Sequence, residues 1–299
     1  MHDIIIIGGG CAGLTAALYA ARAGKRVLVI ESETVGGQIT AAPKIENYPA
    51  ADGISGMEFA DRLFEQAANA GIEFELDTVT GIHDNGSVKT VVTEDSSFDT
   101  GAVIIAVGSK HRKLGVPGEE RLAGHGVSYC AVCDGAFFKG KIAVVAGGGN
   151  TAFSDALYLS AICSKVYIVH RRDAFKADNA LISCAKRTDN IKIITNAVIS
   201  ELQGDTTLSG VILQTPDGSV RLEAQALFVA IGRIPENGIF KNLIELDENG
   251  YITAGEDCRT SVSGIFAAGD CRTKTVRQLT TAAADGTCAA IAASEMNYG

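Results

Sequence analysis

Cys130-Ala131-Val132-Cys133-Asp134-Gly135 puts two thiols three positions apart, with a carboxyl directly after the second. A C-x-x-C beside a βαβ pattern reads as a redox dithiol. Thiol–disulfide exchange needs a thiolate and a good leaving thiol. Asp134 is the candidate acid that delivers a proton to that exchange, and the alternative is a turn residue before Gly135. Structural zinc wants four ligands; no second C-x-x-C or Cys/His pair offers them, so no metal site is expected. The other cysteines, Cys11, Cys163, Cys184, Cys258, Cys271 and Cys288, have no motif spacing and read as small buried or surface residues.

Two glycine-rich turns flank the dithiol. The first follows the run Ile4-Ile5-Ile6-Ile7 as Gly8-x-Gly10-x-x-Gly13 and leads into a helix-forming stretch, Leu14 to Ala23, that ends at Gly24. Lys25 to Ile30 reads as the next strand, closed by Glu31. Glycines allow a tight turn and close approach of the backbone to a pyrophosphate, and the helix start supplies free N–H groups. Glu31 can accept from a ribose 2′-OH, so this site suits an unphosphorylated ribose, that of FAD or NAD. The second turn follows the strand Lys141 to Ala146 as Gly147-x-Gly149-x-x-Ala152, with Ala in the third glycine position. His170-Arg171-Arg172 then stands in register with Glu31, and Lys176 lies just beyond. Cations there match a 2′-phosphate and offer a bare 2′-OH no acceptor. The second site is therefore expected to prefer NADP(H), and the plainer alternative is a solvated basic strand end.

The elements that must position these residues form an internal repeat. Gly101-Ala-Val-Ile-Ile-Ala-Val-Gly108 resembles Gln225-Ala-Leu-Phe-Val-Ala-Ile-Gly232, and each follows short alternating strands with turn signals at Asp84-Asn85-Gly86 and Pro216-Asp217-Gly218. Gly264 to Asp270 is a further apolar strand, followed by a helix start near Arg277 to Ala283. A strand feeding a helix at the far end best completes the first domain's sheet. The expected fold is thus α/β: two Rossmann-like, three-layer ββα dinucleotide-binding domains, the second inserted in the first. The outer domain is placed at 1–112 and 237–299 and the inserted one at 113–236, with hinges near Arg112-Lys113-Leu114-Gly115 and Arg233-Ile234-Pro235-Glu236.

Composition sets the outer limits. The 299 residues suffice for two domains, 46% are hydrophobic and the net charge is −9. An acidic chain without basic runs argues against nucleic acid and against an anionic membrane surface. No apolar run approaches the roughly 18–20 residues needed to span a bilayer. Met1-His2-Asp3 leads straight into the first strand with no secretory signal. The expected location is cytoplasmic.

Gly-Gly-Gly-x-Ala-Gly-Leu-Thr-Ala-Ala at 8–17, Gly36-Gly37-Gln38, Glu46-Asn47-Tyr48-Pro49, Cys-Ala-Val-Cys-Asp-Gly at 130–135, His-Arg-Arg at 170–172 and Phe-Ala-Ala-Gly-Asp at 266–270 together resemble the bacterial-type low-molecular-weight thioredoxin reductases. The resemblance covers essentially the whole chain. It implies FAD in the discontinuous domain, NADPH in the inserted one, a homodimer, and thioredoxin as the protein substrate. For FAD it implies contacts from Gly8, Gly10, Cys11, Ala12, Gly13, Glu31, Gly36, Gly37, Gln38, Asn47, Gly108, Gly269, Asp270, Arg277, Gln278 and Leu279. Among these Asp270 holds the ribityl–pyrophosphate region, and Gln278 and Leu279 offer backbone N–H groups to the flavin ring, where a helix dipole favours negative charge. For NADPH it implies Gly147, Gly149, Asn150, Thr151, His170, Arg171, Arg172, Lys176, Ile231 and Gly232. It makes Cys133 the flavin-facing sulfur and Cys130 the one that attacks the partner disulfide. Three positions depart from the family pattern: Cys11 replaces the usual Pro, Lys176 the usual Arg, and Val107 a common Thr. Lys176 weakens the expected 2′-phosphate grip somewhat.

The expected reaction passes hydride from NADPH to flavin and electrons on to the Cys130–Cys133 disulfide. The dithiol and the NADP turn share one domain, and both must reach one flavin while the disulfide also reaches another protein. Rotation of the inserted domain about its hinges is therefore expected. With the first strand at the start of the sequence, no attached thioredoxin-like arm of the kind found in related alkyl hydroperoxide reductase flavoproteins is expected, and electrons are expected to leave to a separate protein. The rival readings are a relative fed by ferredoxin or serving another disulfide partner, and a non-catalytic flavin module that senses redox state.

Overall fold

Ile4 to Ile7 and Val27 to Ile30 are apolar at every position, the pattern of strands covered on both faces, and all of these side chains are buried. Burying each contributes roughly 1.5–3 kcal/mol. In the computed structural model of the chain, which describes residues 1–42, 44–51 and 53–296, they form β1 (His2–Ile7) and β2 (Val27–Glu31), joined by helix α1 (Cys11–Arg22). Helix α2 (Gly56–Asn69) follows, its first turn capped by Ser55 Oγ, which accepts from Glu58 N at 3.1 Å. Then come β3 (Glu73–Leu76), β4 (Val79–Asn85), β5 (Val88–Thr93) and β6 (Ser97–Ile105).

β3, β2, β1 and β6 run parallel, in that order. β6 changes partner along its length: Ser97–Thr100 pairs antiparallel with β5, and Ala102–Ile105 pairs parallel with β1 on one side and, over Val103–Ile105, with β17 (Ile265–Ala267) on the other. β7 (Ser109–His111) carries the chain out of this unit. The second stretch comprises α3 (Glu119–Leu122), β8 (Val127–Ser128), α4 (Ala131–Asp134), β9 (Ile142–Ala146), α5 (Asn150–Ser160), β10 (Lys165–Val169), α6 (Asn179–Arg187) and β11 (Ile191–Ile194). β12 (Val198–Gln203), β13 (Gly210–Thr215) and β14 (Gly218–Glu223) form an antiparallel sheet of their own, and β15 (Ala226–Val229) returns beside β9 in the parallel order β11-β10-β9-β15-β8. β16 (Arg233–Pro235) leads back, β17 (Ile265–Ala267) pairs parallel with β6, and α7 (Leu279–Ser294) follows near the end of the described residues.

The chain divides into two compact units, Met1–Lys110 with Ile234–Gly299, and His111–Arg233. The sequence reading set the passages a few residues later, at 112/113 and 236/237; the last three residues of the outer domain lie outside the described residues. Each unit has three layers. In unit 1, Ile4 and Ile6 of β1 join Leu14 of α1 and Ala289 and Ala293 of α7. Ile5 and Ile7 face Val79, Ile82 and Val91 of the antiparallel strands. Unit 2 repeats the plan: Ala143 and Val145 of β9 pack with Phe153 and Ala156 of α5, while Val144 and Ala146 meet Ile199, Val211 and Leu213. Period-two alternation along the parallel strands thus divides helices from meander. Among the described residues no helix is long and apolar enough to cross a membrane.

Candidate active site and nucleotide-binding turns

The first fingerprint is shaped by contact as well as by conformation. Gly8 has φ +103°, and a Cβ there would lie 2.5 Å from the Ala106 carbonyl oxygen. A Cβ on Gly13 would lie 1.9 Å from the Gly8 carbonyl oxygen, so only glycine lets α1 pack this closely on the turn. Gly10 is different: a Cβ there would have nothing nearer than the Gly36 carbonyl, 3.9 Å away. Space is therefore left where a pyrophosphate would lie, and no side chain caps the start of α1. The Glu31 carboxylate closes the turn, accepting from Gly9 N at 2.7 Å and Glu33 N at 2.9 Å. Its remaining lone pairs suit ribose hydroxyls.

Most of the other expected flavin-site residues of unit 1 are bound to this turn or to one another. Gly10 bridges Gly36, and Gly37 lies against the Gly10 Cα. The Gln38 amide donates to the Ser109 carbonyl, beside Gly108. Asn47 Nδ2 donates to Gln278 Oε1 at 3.2 Å. Gln278 caps α7 in a reciprocal capping box with Thr281, which leaves the Leu279 end of the helix for an acceptor. Gly269 packs on Ala12, and Asp270 follows it in a single 3₁₀ turn, Gly269–Cys271. Cys11 is buried, its thiol 3.6 Å from the Leu279 carbonyl, and burial pushes it up to about 11, so it stays a neutral thiol. The Arg277 side chain is turned inward: its guanidinium stacks 4.2 Å from the Tyr251 ring and donates to the carbonyls of Asp270, Arg272 and Lys274. The arrangement fits a flavin dinucleotide: free N–H groups for the phosphates, a carboxylate for the ribose, and a helix start beyond.

Unit 2 repeats the turn with different electrostatics. Gly147 packs on Ala230 and Ala152, and a Cβ on Gly149 would meet nothing within 4 Å. The His170 ring lies against Gly148 and Phe175, with Nε2 3.2 Å from the Ala174 carbonyl, and Lys176 N donates to the Gly148 carbonyl at 2.9 Å. Arg171, Arg172 and Lys176 are exposed beside the turn, and among the described residues no acidic group pairs with them. Asn150 exchanges two hydrogen bonds with Asp178, at 3.0 and 2.8 Å, tying the start of α5 to that of α6. Thr151 and Ile231 are exposed, and Gly232 lies beside Arg112. A cationic rim around an open turn fits a phosphorylated ribose.

The dithiol belongs to unit 2. Cys130 and Cys133 form a disulfide, Sγ–Sγ 2.08 Å and Cα–Cα 5.3 Å, across the single turn of α4. Both cysteines are half-buried, and Val132 between them is 50% exposed. Asp134 Oδ2 accepts from Ser128 Oγ at 2.6 Å, and the same hydroxyl oxygen accepts from Cys130 N at 3.0 Å. Burial raises the Asp134 carboxyl above its ordinary range, and the Ser128 hydrogen bond only partly offsets this. Asp134 is thus a protonatable group at the end of the dithiol turn.

Sequence reasoning missed the supports. Ser128 links Cys130 to Asp134. Tyr129 donates to the buried Glu119 at 2.9 Å, which also accepts from Leu114 N and Gly115 N. The Tyr129 ring lies 5.1 Å from that of His111, whose Nε2 is 2.9 Å from Arg233 Nη2. Arginine has no acceptor, so Nε2 accepts and His111 is neutral here; burial, then the Arg233 charge, lowers it to about 4. None of these residues belongs to a spacing motif, so no local signal marked them.

Two dinucleotide turns, one ended by a carboxylate and the other rimmed by cations, and one disulfide beside a carboxyl define a nucleotide-dependent disulfide oxidoreductase. Residues 2–286 match the family described as pyridine nucleotide-disulphide oxidoreductase, and the chain belongs to that family. It is 43% identical over 296 residues to the thioredoxin reductase of Treponema pallidum, covering 98% of this chain and 96% of that protein. Against the thioredoxin reductase of Listeria monocytogenes it is 42% identical over 289 residues, covering 96% and 91%. The crystal structure of thioredoxin reductase from Streptococcus pyogenes superposes with a TM-score of 0.94 at 42% identity, covering 98% of this chain and 97% of that one.

Proposed function

We propose that the chain carries reducing equivalents from NADPH to the disulfide of thioredoxin, with FAD in unit 1 and the Cys130–Cys133 pair as relay, acting in the cytoplasm as a homodimer. The observation that carries this reading is the disulfide itself, in the same unit as a turn rimmed by Arg171, Arg172 and Lys176. FAD, when bound, would supply the two-electron redox chemistry that links a nicotinamide to a disulfide. The chain's residues do the rest. Glu31 and the starts of α1 and α7 hold the flavin dinucleotide, and the cationic trio selects the 2′-phosphate. Cys133 receives the electrons, Cys130 attacks the partner disulfide, and Asp134 supplies a proton. The balance is NADPH, one proton and a protein disulfide giving NADP⁺ and a dithiol. The intact second fingerprint supports a pyridine nucleotide over ferredoxin as donor.

Anaerobic titration with NADPH or NADH, followed at the flavin band, tests the donor; oxidised thioredoxin is then added. NADPH is expected to bleach the flavin at far lower concentration than NADH. Arg171→Ala with Arg172→Ala and Lys176→Ala is expected to raise the KM for NADPH by about 100-fold and leave that for NADH unchanged, each lost charge-assisted contact costing roughly 1 kcal/mol on this exposed rim. An equal response to both nucleotides overturns the cofactor reading. Thioredoxin that fails to reoxidise the flavin overturns the substrate. For the sulfur roles, Cys133→Ser is expected to trap a mixed disulfide with oxidised thioredoxin and Cys130→Ser is not; the reverse pattern exchanges the two assignments. Sedimentation of the holoprotein tests the dimer.

A further inference from the structure

Asp285, on α7, takes part in no step described above, yet its carboxylate is buried at the junction of the flavin-site elements. Oδ2 accepts from Gly269 N at 3.0 Å, Arg272 Nε at 2.9 Å and Lys274 Nζ at 2.8 Å, and Oδ1 accepts from Arg272 Nη2 at 2.7 Å. All three ionic side chains are at most 8% exposed. Burial opposes the charge of Asp285, but the hydrogen bonds from Arg272 and Lys274 outweigh it and hold the carboxyl below its ordinary value. Arg272 spends Nη1 on the carbonyls of Ala254 and Thr273. The neighbouring Gly286 packs so tightly that a Cβ there would lie 2.2 Å from the Ala12 carbonyl oxygen.

Two adjacent residues of α7 therefore fix both phosphate-facing pieces of unit 1. Asp285 holds the amide of Gly269, directly before Asp270, and Gly286 seats the first turn of α1. Arg272 and Lys274 tie to the same carboxylate, and they lie at the start of the segment that ends at the Gln278 cap. A buried carboxylate compensating two cations has a structural role by default. Here one of its four donors is the main-chain amide of the Gly-Asp turn, which a purely ionic role does not require.

We propose that Asp285 is a positioning residue for the flavin dinucleotide: it sets the Gly269–Asp270 turn relative to the starts of α1 and α7, so that the site is formed before the cofactor enters. The inference rests on the assignment of FAD to unit 1. Purified wild-type protein without flavin defeats that assignment; wild-type protein that holds FAD, with variants that hold it equally well, defeats only this inference.

The test is FAD release from the full-length holoprotein, followed by the fluorescence of free flavin after dilution. Asp285→Asn is expected to release FAD at least about tenfold faster, since a charge-assisted acceptor of a main-chain N–H is lost. Lys274→Met leaves Asp285 charge-compensated by the Arg272 fork and leaves the Gly269 bond in place, and release is expected to stay within about threefold of wild type because no buried charge loses its last partner. NADP⁺ affinity, measured by calorimetry, is expected to change by less than about twofold in both variants, because that site belongs to the other unit. Wild-type release rates in Asp285→Asn, or equal acceleration in the two variants, overturn the proposal in favour of a cluster that merely stabilises the fold. Should Asp285→Asn not accumulate as folded protein, hydrogen exchange of the Gly269 amide in wild-type holoprotein and in protein partly depleted of FAD decides. Protection in both supports a preformed turn; protection only with FAD bound overturns it.

Discussion

Asp134 shows how a sequence position acquires chemistry from a small volume. As the residue after a C-x-x-C it had two readings, proton donor or turn former. Its environment unites them: it closes α4, and burial raises its carboxyl while Ser128 holds it in place. Burial disfavours the carboxylate, so the proton stays on to higher pH than on a free aspartate. The sign follows: a step that needs this proton runs at full rate below the raised value and slows as pH rises through it. Asp134→Asn is expected to lower thioredoxin turnover at neutral pH by about 10²-fold, remove that pH limb, and leave reduction of the flavin by NADPH unchanged. Stopped-flow reduction and steady-state turnover across pH separate the two. Ser128→Ala, which takes one fixed partner from the carboxyl and from Cys130 N, is expected to cost turnover by about tenfold or less while keeping the limb. Slower flavin reduction in Asp134→Asn would place the defect elsewhere.

At the scale of elements, the sequence was most legible where structure is local. The apolar runs of β1, β2, β9 and β10, the glycine spacing, and the acid in one unit against cations in the other lie within short windows, so chain geometry alone brings them together. The pairing of β17 with β6 was also within reach, because an apolar strand feeding a helix has few places to go in a parallel sheet. Glu119, His111 and Asp285 were not legible, since each owes its role to partners distant in sequence. Helix α2 went unread although Ala60 packs against Gly36, a contact that depends on how the helix is seated. Close helix contact gives a sharp prediction. Gly286→Ala puts a methyl group where the Ala12 carbonyl stands, so α1 and α7 must separate. Overpacking of this kind costs about 1–3 kcal/mol. Urea unfolding of the holoprotein is expected to show a lower midpoint, corresponding to a stability loss of that size, with faster FAD loss and unchanged NADP⁺ affinity. Gly24→Ala is a useful control: φ there is +78° but no atom lies near the added methyl, so it tests backbone strain without the helix contact.

For the whole molecule, the division of labour between the two units constrains how the proposed reaction runs. The disulfide and the cation-rimmed turn both belong to His111–Arg233, and the carboxylate-ended turn belongs to the other unit. The flavin must exchange electrons in turn with a nicotinamide and with a disulfide that the same unit carries, and that disulfide must also become available to a second protein. One fixed arrangement satisfies these demands poorly, whereas rotation about the passages near Lys110–His111 and Arg233–Ile234 satisfies them in succession. A covalent cross-link between the units is therefore expected to abolish multiple turnover while leaving FAD and NADP⁺ bound. The stronger form of the expectation concerns half-reactions. A linked protein should retain either rapid flavin bleaching by NADPH or rapid flavin reoxidation through the dithiol in a single turnover, but not both, and cleaving the link should restore the missing one. Undiminished steady-state turnover in the linked protein would show that the electrons need no such movement.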